Sequence, residues 1–195
     1  MGFCIHLNHI CNRANKMLGF ITRFSGGISS PAALCSLYSS FVRQLVEYAS
    51  PVWSPYTNGA KMRLEDLQRR FVRLVGVRLG FNYMEVPVRA LSCELNLPSL
   101  ALRRDVADVV LLLKITNGLI QCPDLLAEID FRVPTNTRSR DLLSHRYHLT
   151  NFDFNSPLAR LVRLGNLVAA ECDPFFDGIP QIRSRAFRIL SISDT

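Results

Sequence analysis

The stretch Ser30-Pro31-Ala32-Ala33-Leu34-Cys35-Ser36-Leu37-Tyr38-Ser39-Ser40-Phe41-Val42-Arg43-Gln44-Leu45-Val46, followed by Ser50-Pro51-Val52-Trp53-Ser54-Pro55-Tyr56 and the run from Leu64 to Gly76, decides the fold class of this chain. Ser30 suits a helix N-cap, and Pro31 suits the first helical position, where a missing N–H costs little. Leu34, Leu37, Tyr38, Phe41, Val42, Leu45 and Val46 then recur at helical spacing, so this helix must bury a face. It is expected to stop where Ser50-Pro51 begins, because each proline disfavours helix in the residue before it and removes a backbone donor. After Asn58-Gly59 a second helix is expected, with Leu64, Leu67, Phe71, Leu74 and Val75 on one face and Lys61, Arg63, Arg69, Arg70 and Arg73 largely elsewhere. The result is two amphipathic helices joined by a tight, aromatic, proline-bounded turn.

The same reading extends outward in both directions. A helix over residues 9–24 would bury Ile10, Ala14, Met17, Leu18, Ile21 and Phe24, with Gly26-Gly27 ending it. Gly76, Gly80 and Asn82-Tyr83 loosen the chain after the second amphipathic helix, and a short helical piece follows at residues 88–91. Leu97-Pro98-Ser99 starts a strong helix that carries Leu102, Val106, Val109, Val110 and Leu113 as core and runs to Asn117, with Gly118 at the C-cap. Residues 123–129 form one more short helix. Residues 133–140 are polar, basic and without period, and read as a linker or a strand-like surface excursion. Ser156-Pro157 opens a last long helix through Leu158, Leu161, Val162, Leu164, Leu167 and Val168 to about Cys172; Phe175-Phe176 and a terminal helix with Arg183, Arg185 and Arg188 follow. The fold class is mainly α: a helical bundle over residues 1–130, then a linker and a helical, partly irregular C-terminal extension over residues 131–195.

With 195 residues, 48% of them apolar, the chain is long enough to bury a core. Its formal charge is +7, and the basic residues are 20 Arg against 3 Lys. Arginine offers a planar fork that matches phosphate and carboxylate oxygens, so this balance points to nucleic acid, with a solvated basic face as the bland alternative. Cys4, Cys11, Cys35, Cys93, Cys122 and Cys172 show no secreted-domain rhythm, and no basic segment followed by an apolar run opens the chain. Free thiols in a reducing, intracellular setting are therefore expected, nuclear or cytoplasmic. The longest apolar run, Val109 to Leu113, falls far short of the ~20 residues that span a bilayer, so no membrane contact is expected.

Candidate chemistry is sparse. Asp105 and Asp108 share a helical face but lack a third ligand, and Arg104 adjoins them, which reads as a solvated or ion-paired face. Cys4, His6, His9 and Cys11 are too closely spaced for paired zinc knuckles, and His145 and His148 rest on an equally thin basis, so no metal or other cofactor is expected. No Gly-rich phosphate loop, nucleophile elbow or zinc-protease string occurs. Tyr48, Trp53 and Tyr56 read either as a platform for bases or as packing that fixes the turn. The helix over residues 61–78 carries six cations against Glu65 and Asp66. Lys61, Arg63, Arg69, Arg70 and Arg73 are the candidate phosphate contacts, with Arg138, Arg140, Arg146, Arg160 and Arg163 as a candidate extension of that surface.

Several strings also occur together in order: Ala14-Asn15-Lys16-Met17-Leu18-Gly19-Phe20-Ile21, Leu37-Tyr38-Ser39-Ser40-Phe41-Val42-Arg43, Val46-Glu47-Tyr48-Ala49-Ser50-Pro51-Val52-Trp53-Ser54-Pro55, Leu67-Gln68-Arg69-Arg70-Phe71, Leu97-Pro98-Ser99-Leu100-Ala101-Leu102-Arg103-Arg104 and Leu113-Lys114-Ile115-Thr116-Asn117-Gly118. In this the chain resembles, over roughly residues 3–134, the region downstream of the polymerase core in reverse transcriptases of non-LTR retrotransposons, most closely the jockey-like and CR1-like group. The resemblance implies a thumb-like module that grips the template-primer duplex by its backbone. It also implies that the palm, with its Tyr/Phe-Ala-Asp-Asp motif, lies upstream of these residues. The chain has no adjacent Asp pair to hold the two metal ions of polymerase chemistry, so it is not expected to be an enzyme by itself but a truncated fragment of one. Nothing matches the cysteine-histidine knuckle that often ends such elements. The rival reading is a noncatalytic helical module for protein interaction, with the missing core or a second copy as partner, or a relic without selected function.

Overall fold

A computed structural model describes residues 2–132 and 141–193. The polar segment 133–140, with Arg138 and Arg140, lies outside them. Among the described residues every regular element is helical, and the one β feature is an isolated antiparallel bridge between Phe131 and Leu143. The chain is mainly α. It divides into two compact units, one made of Met1–Ala49 and Pro55–Ala101, the other of Ser50–Ser54 and Leu102–Thr195. This division falls near residue 101, whereas the change of composition lies near residue 131.

The first unit opens with α1 (Gly2–Phe24), seven residues longer at its start than the periodicity suggests. Leu7, Ile10, Cys11, Ala14, Leu18 and Ile21 form its buried stripe. Phe24, expected in that stripe, is 73% exposed and packs on Phe20, ring centroids 4.2 Å apart. Next comes one long helix in three parts: α2 (Pro31–Tyr38), a π-helical turn (Ser39–Arg43) and α3 (Gln44–Glu47). Ser30 caps it with extended backbone, and Pro31 takes the first turn. Its buried residues are Leu34, Tyr38, Val42 and Val46, each four after the last, while Phe41 is exposed. In a regular helix a spacing of four drifts about 40° per step, and the wider π turn takes up part of that drift.

The turn at Ser50 differs from expectation. Ala49 adopts a left-handed φ of 50°, and α4 (Ser50–Trp53) then forms a single helical turn where an irregular stretch was expected. Pro51 sits in its first turn, where the missing N–H would have no helical partner anyway. Trp53 is buried, while Tyr48 and Tyr56 are exposed.

α5 (Asn58–Arg78) and α6 (Val88–Glu94) complete the first unit. α5 buries Leu64, Leu67, Phe71, Val72 and Val75 as expected, with Leu74 only half buried. Phe71 stacks on Tyr38 at 4.2 Å and 12°. Beside them lies the buried Gln68, whose Oε1 accepts from the Tyr38 hydroxyl (3.3 Å) and whose Nε2 donates to the Pro98 carbonyl (2.9 Å). Gly76 does not loosen the helix: it is buried within it, and a Cβ there would stand 2.5 Å from Val86 Cγ1.

The second unit is built on α7 (Leu100–Thr116), closed by Gly118 at φ 69°. α8 (Pro123–Ala127), α9 (Asn151–Phe154), α10 (Pro157–Ala169) and α11 (Ile179–Ser193) follow. Leu102, Val106, Val109 and Leu113 pack with Leu164 and Val168 of α10 and Ile182, Ala186 and Leu190 of α11. Leu167, expected on the apolar face of α10, is 48% exposed. Between α8 and α10 the irregular segment at Leu143 is held by a side chain: Asn166 accepts from the Leu143 N–H and donates to its carbonyl, both at 2.9 Å.

Candidate nucleic-acid interface

α5 supplies the site because its core stripe fixes which residues face out. Leu64 and Phe71 are buried, so Arg63 and Arg70, one residue earlier on each turn, stand beside the core at the exposed edge, and Met62 and Arg69 stand further round. Lys61, Arg63, Arg69 and Arg70 are exposed. Arg73 is half buried, its guanidinium 5.2 Å from the centroid of the Tyr83 ring. Arg69 Nη1 donates to Asp66 at 3.0 Å, with both side chains about half exposed, a pairing weak enough to exchange for a phosphate. Arg70 Nη1 donates to Asn15 Oδ1 of α1 at 2.9 Å. Arg78, the sixth cation of the helix, turns inward and donates to the carbonyls of Thr22 (3.2 Å) and Gly26 (3.4 Å) at the C-terminal end of α1, where a cation is favoured. The five predicted residues thus share one helix but not one line, and Arg73 stands apart on its tyrosine. Of the two acids nearby, Asp66 is engaged by Arg69, and Glu65 accepts from the Ala101 N–H at 2.8 Å.

The candidate extension through the second unit is corrected. Arg160 is buried, with hydrogen bonds to Asp108 and to the carbonyls of Asn155 and Pro51, so it cannot meet a ligand. Asp108, read as solvated or ion-paired, is ion-paired with Arg160 but wholly buried; burial pushes its carboxyl above the usual range, against the pull of Arg160, Arg104 and Arg163. Arg146 is held by Glu128 (2.6 Å) and Asp130 (3.0 Å), and Arg163 lies 4.4 Å over the Phe154 ring while donating to the Phe154 carbonyl. Arg185 pairs with Asp177 at 2.7 Å, and Arg183 and Arg188 stay exposed.

Charge follows the same division. The first unit has 11 Lys and Arg against 5 Asp and Glu, a net of +6; the second has 12 against 11, a net of +1. The sequence-level reading missed the exposed Arg13, Lys16 and Arg23 of α1, although the signal was present: residues 2–24 contain no Asp or Glu.

Other candidates do not converge. In α1, Cys11 is buried while Cys4, His6 and His9 are exposed. In the second unit His145, Arg146 and His148 line a cleft of about 340 Å³ with Ser144 and Ser156. His148 Nδ1 lies 2.9 Å from Asp153 Oδ2 and His145 Nε2 lies 3.1 Å from Asn166 Nδ2, so each imidazole is tied to a protein partner. Among the described residues no group of three His, Cys, Asp or Glu side chains is placed to hold a metal ion, and no helix is long and apolar enough to cross a membrane. No disulfide joins any of the six cysteines, all of which lie among the described residues. Comparison with protein-family models, with curated proteins and with solved structures gives no match to this chain.

Proposed function

We propose that this chain is a helical nucleic-acid-gripping module akin to the thumb and C-terminal region of non-LTR retrotransposon reverse transcriptases, and that it holds a template-primer duplex by its backbone. The observation that carries this reading is the concentration of charge: six of the seven net positive charges belong to the first unit, whose α5 turns Lys61, Arg63, Arg69 and Arg70 outward. The ordered strings from Ala14 to Gly118 support the kinship. Backbone contact of this kind carries no sequence preference and releases condensed counterions, so it weakens steeply with salt. The chain's own part is binding; polymer synthesis would be done by an associated palm.

The test is fluorescence anisotropy of a labelled duplex titrated with the full chain across a salt series, for the natural chain and for K61Q/R63Q/R70Q. Loss of up to three phosphate contacts should flatten the slope of log K against log salt by about two to three. An unchanged affinity and slope would sink the reading. Self-association without duplex binding, seen by sedimentation, would favour the rival protein-interaction module.

A further inference from the structure

We infer that α1 supplies a second row of contacts, so that the nucleic-acid surface of the first unit is a pair of parallel basic helices spanning the two strands of a duplex. This rests on the nucleic-acid reading above and adds to it a helix, its residues and the form of the ligand.

The two helices run in register. Arg70 bonds to Asn15, 55 residues earlier, and Arg78 bonds to Thr22, 56 residues earlier, so α1 and α5 lie side by side and parallel. Around α1 the chain steps from core to edge to outside twice. Ala14 and Ile21 are buried, Asn15 and Thr22 meet α5, and Lys16 and Arg23 come one residue later, about 100° further round and exposed. α5 steps the opposite way, from buried Leu64 and Phe71 back to exposed Arg63 and Arg70. Each helix therefore presents two cations seven residues apart, about 10.5 Å along its axis. Arg23 leans back over its own helix: a Cβ on Gly19 would stand 3.6 Å from its Nη1, which keeps the guanidinium on the side that faces α5.

Electrostatics favours the same surface. With no acid in residues 2–24, Lys16 and Arg23 have no carboxylate on their own helix. The exposed Asn8 and Asn12 continue the row with uncharged donors of the kind that meet phosphate and sugar oxygens. Packed helix axes lie about 8–10 Å apart, within the span of about 6–12 Å covered by duplex groove widths. Two rails at that spacing suit two backbones, where a single strand would follow one.

The experiment compares three full-length proteins, the natural chain, K16Q/R23Q and R63Q/R70Q, on a duplex and on one of its strands, with helical content checked by circular dichroism. K16Q/R23Q should lose ten- to a hundred-fold in duplex affinity near 0.1 M salt and flatten the slope by about two, much as R63Q/R70Q does. The charge-conserving K16R/R23K should bind like the natural chain, which separates charge from damage to the fold. If K16Q/R23Q binds as the natural chain while R63Q/R70Q weakens, the interface is α5 alone: this inference falls and the proposed function stands. If the single strand binds as tightly as the duplex, the two-strand assignment is overturned. If the natural chain binds neither ligand, both readings fall together.

Discussion

Gly76 closes the gap between α5 and Val86, and no other residue type fits there without movement. Its neighbour is a β-branched side chain with one preferred rotamer, so an added methyl has nowhere soft to push. Gly76→Ala should destabilise the chain by about 1–3 kcal/mol in urea unfolding, even though alanine is the better helix former. Val86→Ala in the same protein should recover part of that loss; if the double variant is no better than the single, the close approach is not the cause. The sequence showed Gly76 only as a loosening residue, because a glycine inside a helix and a glycine ending one look alike until the neighbour is placed. Arg160 carries the same lesson with opposite sign. It looked like one more surface cation, yet it is buried against Asp108, where loss of a single partner leaves a charge stranded.

At the level of elements, the long helix from Pro31 to Glu47 shows how local pattern and tertiary demand are reconciled. Residues at a strict spacing of four are all buried because the π turn at Ser39–Arg43 adjusts the phase of the helix. Gln68 joins this helix to α5 and to the first unit's segment at Pro98 through Tyr38 and the Pro98 carbonyl. Gln68→Leu keeps the volume but leaves the Tyr38 hydroxyl and the Pro98 carbonyl without this partner, and should cost about 1–3 kcal/mol. Thermal unfolding checks this, and an unchanged midpoint would mean that water replaces the amide. The sequence placed the bodies of the main helices well, because amphipathic periodicity is local. It missed the helical turn at Ser50–Trp53, since a proline that ends one helix can equally open the next.

For the whole molecule the deciding feature is that charge is divided unevenly between two units of similar size. Arg183 and Arg188 of the second unit are exposed as well, but they belong to a body whose net charge is only +1. R183Q/R188Q should therefore change the salt slope of duplex binding by less than about one, against two to three for K61Q/R63Q/R70Q. Equal losses would move the interface to the second unit. The sequence by itself determined the helical class, most of the core residues and the basic α5, because each follows from residue type and spacing along a few turns of chain. It also held the acid-free run of α1, though with nothing to give that run a place. Only the tertiary structure decided which cations stay available. Burial against Asp108 removes Arg160, carboxylates occupy Arg146, and the register between α1 and α5 sets Lys16 level with Arg70, with Arg23 further along α1 and Arg63 further back along α5. These are contacts between residues 18 to 56 positions apart, set by how apolar stripes pack against one another, and no local pattern in the chain encodes them.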